Sequence, residues 1–249
     1  MKTKADNLVN IIIDELLALG MSKIAEALEV QYQSPDFLTC DRLTLLSKLI
    51  EPEYNERMNK RYTSRLKFSH LAGCPEEFGK CINSRDRTYA PDGITERLSH
   101  LDFIRNGMNV CVLGASDSGK TYFAKGLGIM ACSEFSVEYC ESEDLLDKLA
   151  DLKTANRQKF DKRMKRLCKL DLLILDDFLL HMITDEQEVK ILHSILNSRS
   201  EAQKSTVVCS QRMPANWKAM IDDDEIAADA IVKRATKHFT VMIESRKDS

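Results

Sequence analysis

The segment Gly114-Ala-Ser-Asp-Ser-Gly119-Lys120-Thr121 constrains this chain more than any other. It fits the pattern Gly, four residues, Gly-Lys-Ser/Thr at every fixed position. It stands between an apolar run at residues 110–113 and a stretch of helical spacing that contains Tyr122, Phe123, Leu127 and Met130. A strand, a glycine-bearing loop and a helix in that order turn backbone N–H groups toward an anion, with the positive end of the helix behind them. Gly114 and Gly119 free the backbone to make that turn. Lys120 sets a cation beside the β- and γ-phosphates, and the Thr121 hydroxyl is a hard oxygen ligand for Mg²⁺. The expected contacts of an ATP–Mg²⁺ ligand are therefore Gly114, Ala115, Ser116, Asp117, Ser118, Gly119, Lys120, Thr121 and Tyr122. Asp117 is unusual in a loop built for a polyanion: facing solvent it is harmless, and facing inward it weakens nucleotide binding.

The sequence around the loop sets the fold class. Apolar runs at residues 110–113, 137–139, 172–175, 206–209 and 239–243 alternate with helical stretches long enough for crossovers. Such runs predict a five-stranded parallel α/β sheet covered on both faces. The first part of the chain reads differently. Leu8, Ile11, Ile12, Leu16 and Leu19, then Ile24, Ala27 and Leu28, recur at helical spacing with Gly20 as the stop between them. A third helix is expected over 39–50, and Pro52 can open a fourth that reaches Phe68. Residues 71–91, with Gly73, Pro75 and Gly79 and no clear period, read as a linker. The expected organisation is a small all-helical unit at 1–70, for oligomerisation or for contact with DNA or a partner. The α/β domain follows at 71–249.

A second carboxylate motif completes the site. Leu172-Leu-Ile-Leu175-Asp176-Asp177 is a buried strand ending in two acids, and acids at that end of a parallel sheet face the ligand crevice. Asp176 is expected to hold the Mg²⁺ shell together with Thr121. Asp177 has two readings: it lies beside the water that attacks the γ-phosphate, or it caps the next turn. With one methylene fewer than Glu, it implies slow hydrolysis. Gln211, at the end of the 206–209 strand, faces either the γ-phosphate and its attacking water or a loop hydrogen bond. His181, a lone histidine beside the turn, reads more readily as a surface residue than as a ligand contact.

Charge excludes some classes and raises another. Thirty-six basic and thirty-nine acidic residues leave a net charge of −3, so nucleic-acid contact requires local clustering. One cluster is Lys153, Arg157, Lys159, Lys162, Arg163, Lys165, Arg166 and Lys169, opposed only by Asp161. A second is Arg57, Lys60, Arg61, Arg65 and Lys67. Each reads as a phosphate-tracking surface or as a solvated face. No base-reading module accompanies them, so any DNA binding is expected to be largely independent of sequence. The eight cysteines never stand at CxxC spacing, which favours reduced thiols over a zinc site. No apolar stretch is long enough to span a membrane and no signal-peptide pattern begins the chain, so a cytoplasmic protein is expected.

These motifs together resemble the IstB family of AAA+ ATPases, helpers of insertion-sequence transposition, and more distantly the DnaC-type helicase loaders. The resemblance covers most of the chain. It is carried by Phe103-Ile-Arg-Asn-Gly, Gly114 to Thr121, Leu172 to Phe178, Val208 to Gln211 with Trp217, the Ala228 to Arg234 segment, and Glu244 to Lys247. It implies that the strand ending at Gln211 lies between those of the phosphate loop and of Asp176. Gln211 matches a sensor position, and Arg234 matches an arginine supplied to a neighbouring subunit's nucleotide. The ATPase would then be a homo-oligomer with sites at subunit interfaces, cytoplasmic in a bacterium. Its implied partners are duplex DNA and a transposase. Departures from the pattern are Asp117 in place of a usual Gly, Leu-Leu-His-Met at 179–182 in place of a Gly-containing turn, and a shortened segment around Arg246. With few residues after the last strand, no C-terminal helical lid is expected. Rival readings are a helicase loader, a small-molecule kinase using 153–169 as a lid, and an ATP-binding scaffold that barely hydrolyses.

Overall fold

The structure, a computed structural model, describes residues 4–221 and 225–245; Arg246 and Lys247 lie outside the described residues. Contacts divide the chain into two compact units, 1–64 and 65–249. The first unit opens with helix α1 (Lys4–Ala18). Gly20, at φ 70°, ends that run, and α2 (Ser22–Tyr32) follows. Among the described residues of this unit only Ala25 and Leu28 are buried apolar side chains, whereas Leu8, Ile11 and Leu17 of α1 stay exposed. The buried carboxylate of Glu53 accepts from the backbone N–H of Lys23 at 3.0 Å and from Nε of Arg57 at 2.7 Å.

The two helices expected over 39–50 and 52–68 are one. Helix α3 runs from Arg42 to Phe68 with Pro52 inside it. A proline forfeits a single intrahelical hydrogen bond and crowds the carbonyl four residues before it, here that of Lys48. The turns on either side carry the helix past that point.

The second unit is built on a mixed sheet of six strands, not the five parallel strands expected. They are β1 (Arg87–Ala90), β2 (Val110–Leu113), β3 (Val137–Glu141), β4 (Leu172–Asp176), β5 (Ser205–Ser210) and β6 (Phe239–Ser245), in the order β1-β6-β2-β5-β4-β3. Strands β6, β2, β5, β4 and β3 are parallel. The additional strand, β1, pairs antiparallel with β6, matching Arg87 to Ser245. It lies in the segment read as a linker, as does the short helix α4 (Phe78–Ile82). A four-residue edge strand that is only half buried carries no apolar alternation, which is why pattern alone passes over it. The central strands β2, β4 and β5 are buried along their whole length, as parallel strands covered on both faces must be.

Helices α5 (Ile94–Ser99) and α6 (Asp102–Arg105) precede β2, and α7 (Lys120–Ala131) leads from β2 to β3. Helices α8 (Ser142–Ala155) and α9 (Arg157–Lys169) connect β3 to β4, and α10 (Glu186–Glu201) connects β4 to β5. Helix α11 (Glu225–Ala235) packs on α10 before the chain enters β6. Local chemistry fixes several starts: the Asn156 side chain accepts from Lys159 N at 3.0 Å to cap α9, and Asp185 accepts from Gln187 N at 2.7 Å to cap α10. The strand of the phosphate loop (β2) and the strand of the acid pair (β4) are separated by β5 alone. That order puts the loop, Asp176 and Gln211 on one edge of the sheet.

Candidate functional site

The phosphate loop leaves β2 and ends at Gly119, which stands at φ 96° directly before the first residue of α7. Only glycine takes that conformation without strain. Gly114 is required for another reason. A Cβ there would come within 2.4 Å of the Ile243 carbonyl oxygen and 2.5 Å of Ser118 Oγ, so the loop closes as tightly as it does only on a bare Cα. Asp117 adopts φ 59° and is exposed. A left-handed residue is needed at that point, and Asp is among the few side chains that tolerate it.

Lys120, only 5% exposed, donates from Nζ to the Ala115 carbonyl at 2.7 Å, across the mouth of the loop. Burial pulls its pKa down, and the negative charges of Asp176, Asp177 and Asp117 work in the opposite direction. Ser118 Oγ is buried with no hydrogen-bond partner among the described residues. A buried hydroxyl without a partner is costly, and it lies in the cradle that Gly114 keeps open. Together with the N–H groups of Lys120, Thr121 and Tyr122 at the start of α7, which have no acceptor within the helix, these residues fit a phosphate chain. Thr121 and Asp176 offer hard oxygen donors of the kind Mg²⁺ takes.

Asp176, 1% exposed, ends β4. Its Oδ2 accepts from the Tyr139 hydroxyl at 2.8 Å, and its Oδ1 accepts from the backbone N–H of Asp177 at 3.0 Å. Ser142 Oγ donates to its main-chain carbonyl at 2.9 Å. The carboxylate is thus oriented from the neighbouring strand β3. Asp177 follows at φ 48° and is half-buried, and Leu179 takes φ 53°. The turn that would normally rest on glycine is therefore made by a leucine in the left-handed region, its side chain buried. Phe178 N donates to Cys209 O at 2.7 Å and Ser210 Oγ donates to Phe178 O at 2.7 Å, tying the ends of β4 and β5 together.

Gln211 is exposed, one residue beyond β5. Its neighbour Arg212 escaped the sequence reading. The Arg212 guanidinium donates to the Leu180 carbonyl from Nη2 at 3.2 Å and from Nε at 3.3 Å, strapping the 177–182 turn. Arg212 is itself held through its carbonyl by Trp217 Nε1 at 2.9 Å, and the Trp217 ring packs edge-on against Phe178. His181 pairs with Glu143 at 2.8 Å on the surface. Arg234, on α11, is not gathered into the loop: it donates to Ala230 O at 3.1 Å and to the Asn197 side chain on α10.

The basic helix α9 separates into two kinds of residue. Arg163 makes a two-point ion pair with the fully buried Glu138, its second contact being 3.0 Å, and Arg166 approaches the same carboxylate at 3.5 Å. Burial opposes the ionisation of Glu138, but the two guanidiniums more than reverse it and hold its pKa low. Arg157 pairs with Asp161 at 3.1 Å. Lys159, Lys162, Lys165 and Lys169 are exposed and have no acidic partner among the described residues. In the first unit Arg57 pairs with Glu53 and Lys60 with Glu56, while Arg61 is exposed. The pairing of Arg163 could not be read locally, because Glu138 is twenty-five residues away.

Comparison with known proteins agrees with this geometry. The family model described as IstB-like ATP binding protein matches residues 14–249. A protein of Sinorhizobium fredii named as an insertion sequence ATP-binding protein is 31% identical over 223 residues, which is 88% of this chain and 86% of the relative. The insertion sequence IS21 ATP-binding protein of Pseudomonas aeruginosa is 27% identical over 201 residues, 79% of this chain and 72% of the relative. Among solved structures, the DnaC helicase loader aligns with TM-score 0.50 at 16% identity, over 61% of this chain and 88% of that one. The replication initiator DnaA, bound to AMPPCP and single-stranded DNA, aligns with TM-score 0.56 at 18% identity, over 69% of this chain and 50% of that one. These two likenesses show a shared α/β fold.

Proposed function

Because the chain belongs to the family of IstB-like ATP-binding proteins, we propose that it is an ATP-dependent helper of transposition, which assembles on duplex DNA and recruits or stimulates a transposase there. One observation carries this reading: a single sheet edge bears a phosphate loop with a buried Lys120, an oriented Asp176 on the next strand but one, and Gln211 just past the end of the strand between. The backbone amides from Gly114 to Tyr122 hold the phosphates, and Lys120 exchanges its bond to the Ala115 carbonyl for phosphate oxygens. Thr121 and Asp176 would hold Mg²⁺, which when bound would supply charge neutralisation along the phosphate chain.

Hydrolysis is part of the proposal. Asp177 orients the attacking water and Gln211 reads the γ-phosphate. Arg234 serves a neighbouring subunit, after giving up its bond to Asn197. An arginine supplied in that way contributes on the order of 10³ to 10⁵ in rate, so the isolated chain hydrolyses slowly and the assembled one faster. The exposed lysines of α9, with Arg57, Lys60 and Arg61 in the first unit, track DNA phosphates without reading bases. Size measurements by light scattering, with and without ATP–Mg²⁺ and duplex DNA, test the reading. Wild-type chain is expected to form a DNA-bound oligomer only with ATP, and Lys120→Ala to form none. Equal DNA binding by both, with no ATP-dependent oligomer, would reject it. A preference for single-stranded DNA together with a stable helicase complex would point instead to a loader.

A further inference from the structure

The antiparallel pairing of β1 has a consequence for the site. Parallel strands β6, β2, β5 and β4 all end at the crevice edge, so an antiparallel neighbour begins there. The first residue of β1 is Arg87, opposite Ser245 near the end of β6. Its guanidinium lies against the last glycine of the phosphate loop: a Cβ built on Gly119 would stand 2.5 Å from both Cζ and Nε of Arg87. The same group sits 5.7 Å from the centre of the Tyr122 ring, in the first turn of α7. Its other neighbours are the Cys81 thiol and the Tyr89 hydroxyl, and no carboxylate pairs with it among the described residues. A half-buried guanidinium without a counter-charge, set against the loop proposed to cradle the phosphates, is a cation placed for a phosphate.

We propose that Arg87 is a nucleotide-binding residue that donates to the α-phosphate of the bound nucleotide. The inference rests on the nucleotide reading of the loop and adds to it a residue from the strand that sequence patterns missed. The choice of phosphate follows from the two flanks of the loop. Asp176 and Gln211 stand on the β5 and β4 side, so the metal and the γ-phosphate belong there. Arg87 stands on the β6 and β1 side, over Gly119 and Tyr122, at the other end of the phosphate chain. Closing on an α-phosphate, it leaves the Tyr122 ring face and makes two parallel N–H···O bonds.

Equilibrium binding of ATP and of ADP, each with Mg²⁺, to the full chain carrying Arg87→Ala, Arg87→Gln or Arg87→Lys tests this. Both nucleotides should weaken by the same factor, about 10- to 100-fold for the Ala and Gln variants, as expected for a lost charged hydrogen bond. The Lys variant should fall between them and wild type, because it keeps the charge and loses the fork. Unchanged affinity in the Ala and Gln variants overturns the proposal. So does a loss confined to ATP, which would put Arg87 at the γ-phosphate. Equal losses in all three variants with equally lowered Tm overturn it too, in favour of a role in holding β1. Wild-type chain that takes up neither nucleotide would instead defeat the reading of the loop itself.

Discussion

The hydroxyl of Tyr139 donates a 2.8 Å hydrogen bond to Oδ2 of Asp176 from the adjacent parallel strand. Burial, and then the Asp176 charge, push the pKa of Tyr139 upward, so the hydroxyl stays a donor over the whole working range of pH. The acid expected to hold the metal is thus aimed by a side chain of the neighbouring strand.

Tyr139→Phe removes that aim while leaving Asp176 and its bond from Asp177 N in place. Residues that orient a metal ligand typically matter by 10- to 100-fold. The expected result is about a tenfold higher Mg²⁺ requirement for ATP uptake with little change in Tm. An unchanged Mg²⁺ titration would show that the bond is only structural.

Asp117 stands at φ 59° in the loop, exposed, where its charge opposes a polyanion and its backbone needs the left-handed region. Two substitutions separate these effects. Asp117→Asn keeps a side chain that tolerates the conformation and removes the charge, and ATP affinity should rise several-fold at low salt. Asp117→Gly should add stability of about 0.5–1 kcal/mol on top of the same gain in affinity, because glycine relieves the conformational cost. Equal affinity in wild type and both variants would place the charge too far from the phosphates to matter.

Glu188 on α10 faces Asp147 of α8, and its pKa is pushed up to about 7 by burial and by that carboxyl, with Asp185 and Glu143 adding to it. A carboxyl raised in the folded state binds its proton more tightly there than in the unfolded chain. Its contribution to stability is full below about pH 4.5 and is lost as pH rises through about 7. Glu188→Gln should therefore stabilise the chain at pH 8 by on the order of 1 kcal/mol, after allowance for solvent screening, and change little at pH 5. Urea melts at the two pH values measure the difference. A gain of equal size at both would remove the proton from the explanation.

On α9 the free cations and the paired ones should behave differently. Replacing Lys159, Lys162 and Lys165 together by Ala should weaken duplex binding at every sequence and flatten the slope of log K against log salt by about 2 to 3. Tm should hold. Arg163→Ala should lower Tm instead, because it strands the buried Glu138 carboxylate. A triple variant with the wild-type salt slope would take DNA away from this helix.

What could be read in advance was what is local. The phosphate loop between strand and helix, the acids closing β4 and the buried runs of β2 and β5 each declare themselves within a few residues. Their neighbourhood in the sheet was implied by the family resemblance. Pairings across the chain were invisible: Arg163 with Glu138, Tyr139 with Asp176, and Arg199, whose guanidinium is buried on the carbonyls of Leu167, Leu170 and Ser205. Strand β1 was missed because its residues, Arg-Thr-Tyr-Ala, have no apolar face to alternate. Pro52 misled because a proline that can start a helix can also be carried inside one when the turns around it hold.

The central claim is that Gly114 to Thr121 hold a triphosphate whose metal is anchored by Asp176. Equilibrium titration of the wild-type chain with labelled ATP, in the presence and absence of Mg²⁺ and beside Asp176→Asn, measures it directly. The account predicts saturable uptake of one ATP per chain, tighter with Mg²⁺, and loss of most of that Mg²⁺ effect in Asp176→Asn. Uptake that never saturates, or that is indifferent to both Mg²⁺ and Asp176, would contradict it.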